Sequence, residues 1–83
     1  MNKHTQTDYE DVCEITNVKS GKVVTGEILK FRPGQSIIAT IHRQVKVTLV
    51  WQANVGLYIG NMAGMEFQSP GPKAYTYRTH AGR

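Results

Sequence analysis

The sequence predicts an all-β fold, namely a small, strongly bent antiparallel barrel or roll of five to six strands. Three observations favour this fold. Residues 45–52 alternate between inward apolar and mostly polar side chains, which is the period of a strand with one buried face. Short apolar runs are separated by Gly, Pro and Asn turn residues. The 83 residues suffice for one domain with a thin core.

Turn residues divide the chain into its predicted strands. Pro33-Gly34 is typical of a type II turn, since proline presets φ at the second turn position and glycine accepts a positive φ at the third. Gly26 predicts a bulge or sharp bend within a long strand. The predicted strands are residues 12–18, 23–31, 36–42, 45–52, 57–59 and 65–67. Their closure into a barrel would hide the strand edges.

Apolar residues on the inner faces of these strands form the predicted core. Its members are Ile15, Val24, Ile28, Phe31, Ile37, Ala39, Ile41, Val47, Leu49, Trp51, Leu57, Ile59, Met65 and Phe67.

Charge divides the chain into three predicted segments. Residues 1–11 are expected to be a flexible acidic segment, 12–72 the single β domain, and 73–83 a basic and aromatic tail. Four of the six acidic residues lie between positions 8 and 14. From position 15 onward there are nine basic residues against two acidic ones, a net charge of +7. A basic body favours polyanions as partners.

Composition also suggests where the protein functions. Cys13 is the sole cysteine, so a disulfide framework is excluded and a reducing compartment fits. The first residues are polar and contain no apolar signal-peptide core, so we expect a cytoplasmic protein. No apolar run approaches the roughly 18 residues that span a bilayer, so no membrane partner is expected.

Catalytic and metal-binding patterns are not evident, and we expect a non-enzymatic protein without a cofactor. Cys13 lies among acidic residues, which should raise the pKa of its thiol and disfavour the reactive thiolate. His4, His42 and His80 are far apart in sequence, whereas metal ligands usually cluster at short spacing. No catalytic or metal site is therefore predicted.

Binding remains as the predicted function, with single-stranded nucleic acid as the leading partner. Small β-barrels often bind single strands in a basic groove with aromatic side chains that stack on bases. The alternative is a protein–protein or self-assembly module, with homo-oligomers as its product and Tyr75, Tyr77 and Met62 as contacts. The residues expected to form the binding surface are Lys30, Arg32, Arg43, Lys46, Tyr58, Tyr75, Tyr77 and Arg78.

One stretch resembles the first half of the Sm motif. It has Gly21, a second glycine at position 26, the aliphatic Ile28 and the aromatic Phe31. Sm-like proteins are strongly bent barrels that form rings and bind single-stranded RNA, so the resemblance implies a ring and an RNA partner. The family has Asp after the aromatic residue, where this chain has Arg32.

Two further resemblances cover later parts of the chain. Residues 32–35 (RPGQ), 47–51 (VTLVW) and 64–67 (GMEF) are similar to the later half of a PilZ domain, a barrel that binds cyclic dinucleotides. That ligand requires an N-terminal arginine pair, and no arginine precedes Arg32, so the resemblance implies the fold without the ligand. Residues 58–60, 63–67 and 71–72 also look like small proteins of mobile bacterial gene cassettes, which implies a bacterial source and no particular activity.

Overall fold

The computed structural model of the protein describes the backbone of residues 5–78 and the side chains of residues 7–75. This part of the chain is all-β, as predicted. The strands are β1 (Thr5–Tyr9), β2 (Val12–Asn17), β3 (Val23–Arg32), β4 (Ser36–Ile41), β5 (Val45–Gln52), β6 (Leu57–Met62), β7 (Met65–Ser69) and β8 (Ala74–Arg78).

Strands β2 to β7 form a closed antiparallel barrel in chain order. Each strand pairs with the next through a short turn, and β7 returns to pair with β2. The closing seam is short, with the pairs Thr16↔Gln68 and Asn17↔Phe67. Barrel closure is therefore confirmed, and all six predicted strands are present with ends that shift by a few residues.

The turn at Pro33-Gly34 is confirmed by its geometry. Gly34 has a φ of 71°, and the Gln35 N–H donates to the Arg32 carbonyl at 2.9 Å. The hairpin between β4 and β5 and the hairpin between β6 and β7 use left-handed backbone at residues other than glycine. His42 and Arg43 have φ values of 55° and 58°, the mirror-image turn geometry that matches the strand twist. Local hydrogen bonding thus sets the register of the strands on both sides of each turn.

The bulge in β3 lies at Leu29, so the prediction of a bulge at Gly26 was wrong, and the alternative of a sharp bend there stays a prediction. Pairing with β4 skips one position between Ile28 and Lys30, whereas Gly26 is paired regularly on both sides. A bulge reverses the alternation of side chains along a strand. Here it allows Ile28 and Phe31 to pack against the core while Lys30 is exposed.

Two glycines are required by close packing and not by backbone conformation. A Cβ at Gly60 would overlap the carbonyl oxygen of Thr48, which belongs to the neighbouring strand β5. A Cβ at Gly26 would overlap the terminal methyl of the fully buried Ile15. The side chain of Ile15 has some freedom to move, but the backbone at Thr48 is held by the sheet.

Most of the residues predicted to form the core are found there. Its buried residues are Cys13, Ile15, Ile37, Ala39, Ile41, Val47, Leu49, Tyr58 and Phe67, with Val24, Ile28, Phe31, Trp51, Met62 and Met65 packed against them. Leu57 and Ile59 were predicted to face inward and are absent from this core. They alternate with Tyr58, which occupies the inner face of β6 in their place.

Strands β1 and β8 form a second sheet, which we call the arm. They pair antiparallel from Thr5↔Arg78 to Tyr9↔Ala74. Within the segment 1–11 that was predicted to be flexible, residues Thr5–Tyr9 form a strand, which the sequence analysis did not predict. The arm meets the barrel where the Tyr9 and Phe31 rings lie 4.9 Å apart, edge to face. The radius of gyration of 15.2 Å exceeds the roughly 12 Å of a compact chain of this length, which indicates an elongated molecule.

We expect Gly60→Ala to destabilise the barrel by about 3 kcal/mol or more, because the new methyl group meets backbone that cannot rotate away. Gly26→Ala is the matched control, since it meets a side chain and should lose about 1–2 kcal/mol. Urea denaturation of the two variants measures the difference. Equal stability of the Gly60→Ala variant and the original chain would contradict the close contact.

Candidate nucleic-acid interface

Three of the predicted cations lie on one outward surface, which we call the basic face. Lys30, Arg32 and Lys46 are all exposed. Lys30 is paired with Ile38 and Arg32 with Ser36 on β4, and Lys46 lies across from Thr40 of the same strand. The basic face is thus the outer surface of β3, β4 and β5.

Sheet dimensions give the spacing of these cations. Lys30 and Arg32 are two residues apart on one strand, about 7 Å between their backbones. Lys46 lies two strands away from Lys30 and is offset by two residues, which separates them by about 12 Å. Long, flexible side chains at these distances can contact several phosphates of one strand at the same time.

Charge is segregated between the strands. Residues 23–52, which span β3 to β5, contain four basic residues and one acidic residue, a net charge of +3. Residues 5–22, which span β1 and β2, contain two basic and four acidic residues, a net charge of −2. Positive charge is therefore concentrated on β3 to β5, and the acidic strand β2 borders this region because it pairs with β3.

Arg43 has an acidic partner and is not part of the basic face. It occupies the turn between β4 and β5, where its Nε donates to Glu27 Oε2 at 3.1 Å. Both side chains are well exposed, so the pair adds little to stability. Its main effect is to neutralise Glu27, the sole acidic residue of β3 to β5.

Tyr58 is buried, so its prediction as a surface stacking residue was wrong. Its side chain is 5% exposed. The Gly34 N–H donates to the Tyr58 hydroxyl at 2.8 Å. The Tyr58 ring centroid lies 5.9 Å from that of Phe31 and 4.9 Å from that of Trp51. The phenol therefore closes one end of the barrel.

The remaining predicted residues belong to the arm. Tyr75 is on β8 and half exposed, opposite Asp8 in the register of β1. Tyr77 and Arg78 belong to the same strand, and their side chains lie outside the described residues. The predicted residues are thus divided between two sheets, with Lys30, Arg32 and Lys46 on the barrel and Tyr75 on the arm.

Two aliphatic residues beside the cations were not predicted as site residues. Leu29 is 59% exposed in the bulge next to Lys30, and Val50 is 48% exposed opposite Ser36. The alternation of β5 already placed Val50 on the outer face. Leu29 was likewise outside the predicted core, but its position in a bulge beside Lys30 was not predicted.

Cys13 is a buried thiol within the core. Burial raises its pKa, and a hydrogen bond with Ser69 opposes that shift. The predicted direction is confirmed, although desolvation and not the neighbouring acids is its leading cause. A protonated, buried thiol is a poor nucleophile. Within residues 5–78 no group of three His, Cys, Asp or Glu side chains is placed to hold a metal ion.

The end of the barrel away from Tyr58 is open and apolar. A cavity of about 210 Å³ lies there, lined chiefly by apolar side chains that include Val24, Ile41, Met62 and Met65, with Lys22 at its edge. Methionine side chains adapt to different shapes. The cavity could therefore accept a small apolar group.

Fold and surface together define the class of protein, a small closed β-barrel with a basic outer face and a two-stranded arm. Comparison with family models, with curated proteins and with solved structures finds no match to the chain. The resemblances to Sm-like, PilZ-like and cassette proteins stay predictions. Among the residues that the structure describes, no helix has the length and apolar character to cross a membrane.

We expect Tyr58→Phe to destabilise the protein by about 1 kcal/mol, because the Gly34 N–H loses its acceptor while the ring contacts remain. Tyr58→Leu should lose about 2–3 kcal/mol, since the ring contacts with Phe31 and Trp51 are removed as well. Thermal or urea unfolding measures both. A stability unchanged in Tyr58→Leu would contradict the structural role of the ring.

The pKa shift of Cys13 predicts a loss of stability in alkaline solution. A pKa raised by folding stabilises the protein below the ordinary thiol value of 9.0, and that contribution is lost as the pH rises towards the folded pKa. Above about pH 9 the free energy of unfolding should fall by up to about 1.4 kcal/mol per pH unit. Cys13→Ala is the control, and an identical pH profile for both proteins would refute the assignment.

Proposed function

We propose that the protein is a non-catalytic module that binds single-stranded nucleic acid through the basic face. The observation that carries this proposal is the placement of Lys30, Arg32 and Lys46 on one outward surface with no unpaired acid among β3 to β5. Phosphate contacts by such cations release counterions from the nucleic acid, which drives binding.

The distribution of charge supports a polyanion as the ligand. Arg43 neutralises Glu27, so the three cations of the basic face act without a nearby free carboxylate on these strands. The acidic residues of β1 and β2, the latter paired with β3, repel phosphate along that border of the basic face. A long anionic chain would consequently approach the barrel in one orientation.

The exposed aliphatic residues favour a single strand over a duplex. Leu29 and Val50 offer apolar surface beside the cations, and unpaired bases have apolar faces that can cover it. The aromatic residues of β3 to β5, Phe31 and Trp51, pack against the core, so base stacking on these strands contributes little. We therefore expect binding with weak dependence on base sequence.

The test compares two charge-matched triple variants. The first replaces Lys30, Arg32 and Lys46 with Gln, and the control replaces Lys19, Lys22 and Lys73 with Gln. Both remove three positive charges, so they differ in position and not in net charge. Fluorescence anisotropy of a labelled oligonucleotide of about 12 nucleotides measures the affinity, with duplex DNA as competitor.

Three phosphate contacts give a slope of about −2 in log K against log salt, or roughly a 20-fold loss of affinity between about 50 and 200 mM salt. We expect the affinity of the variant at Lys30, Arg32 and Lys46 to depend less steeply on salt, and that of the control variant to keep the original slope. If both variants bound the oligonucleotide with equally reduced affinity, the net charge of the protein, and not the position of the cations, would determine binding. Affinity independent of salt, or efficient competition by duplex, would overturn the proposal.

A further inference from the structure

The arm presents two strand edges that the barrel does not cover. Strands β1 and β8 pair with each other, and no other strand among the described residues pairs with either of them. Each outer edge therefore carries backbone N–H and C=O groups available to a further strand. A sheet of two short strands has marginal stability alone and gains from additional strands.

The arm has short strands with one charged residue each, but it lacks three other features by which natural proteins protect exposed edges, namely proline, lysine and a bulge. Neither β1 (TQTDY) nor β8 (AYTYR) contains proline or lysine, and their pairing is regular, without a bulge. Thr and Tyr are residues that favour strands. By contrast, the two end strands of the barrel sheet, β2 and β7, pair with each other along the short closing seam.

We propose that the arm is a dimerisation element, in which β8 of one copy pairs antiparallel with β8 of a second copy. The two-fold axis passes through Thr76 and produces a four-stranded sheet with the order β1-β8-β8-β1. This proposal does not depend on nucleic-acid binding.

The sequence of β8 is self-complementary in this register. Tyr75-Thr76-Tyr77 reads the same in both directions, so Thr76 is opposite itself and Tyr75 is opposite position 77 of the other copy. Aromatic–aromatic and Thr–Thr pairs are among the favourable cross-strand pairs. Arg78 falls opposite Ala74, which avoids a pair of like charges.

Charge complementarity supports a second copy as the occupant. The base of the arm, next to the barrel, carries three acidic residues, Asp8, Glu10 and Asp11, against one basic residue, Lys73. The far end of β8 carries Arg78. An antiparallel two-fold arrangement brings the far end of each arm to the base of the other, so the basic residue of one copy approaches the acidic residues of its mate.

Disulfide trapping tests the register. In a Cys13→Ala background, Thr76→Cys would place two thiols across the two-fold axis with Cα atoms about 5 Å apart, within reach of a disulfide. Oxidised glutathione accepts the two electrons. Thr7→Cys on β1 is the matched control, because the two β1 strands would be separated by three strand spacings, about 14 Å.

We expect the Thr76→Cys protein to form a covalent dimer on a non-reducing gel and the Thr7→Cys protein to stay monomeric. Sedimentation of the unmodified chain should give twice the 9.3 kDa mass. Thr76→Lys should weaken this dimer at least tenfold, because equal charges face each other at the axis, with circular dichroism as the check on folding. Cross-linking through Thr7→Cys alone, or a monomer at all concentrations, would overturn the proposal.

Discussion

The closed end of the barrel depends on the interactions of one phenol side chain, that of Tyr58. Its ring lies between Phe31 and Trp51, and its hydroxyl accepts a hydrogen bond from the Gly34 N–H. The turn between β3 and β4 is thereby tied to β6 on the other side of the barrel. Because Phe31 also contacts Tyr9, the same group of rings determines where the arm leaves the barrel. Core packing, turn geometry and the position of the arm are thus coupled through one residue.

The second determinant of the surface is the bulge at Leu29. Strict alternation along β3 would put Ile28 and Lys30 on the same face, which would either bury a cation or expose an aliphatic core residue. The bulge resolves this conflict by one extra residue, so that Ile28 and Phe31 pack inward and Lys30 and Arg32 are exposed. The basic face is therefore a consequence of a packing constraint in the core.

Sequence reasoning succeeded where the signal is local. The alternation of residues 45–52 and the Pro33-Gly34 turn predicted β5 and its neighbouring hairpin correctly. Sequence reasoning failed at β6. The run Leu57-Tyr58-Ile59 is apolar throughout, so the sequence does not show which of these side chains face the core. That choice is decided by the close contact of Gly60 with β5. The arm was missed because its strands are polar and pair across nearly the whole chain. The cations were identified individually, but their common face depends on the bulge and the strand register.

Segregation of charge gives the two parts of the molecule different roles. Two basic faces, each on strands with a net charge of +3, repel one another, which disfavours association of two copies through that surface. The arm combines acidic residues at its base with Arg78 at its far end, and opposite charges meet when two arms are antiparallel. Self-association would therefore use the arm and leave the basic face open to a polyanion. Under both proposals the acidic residues near β1 would have two effects, because they would attract the second arm and repel the phosphate chain.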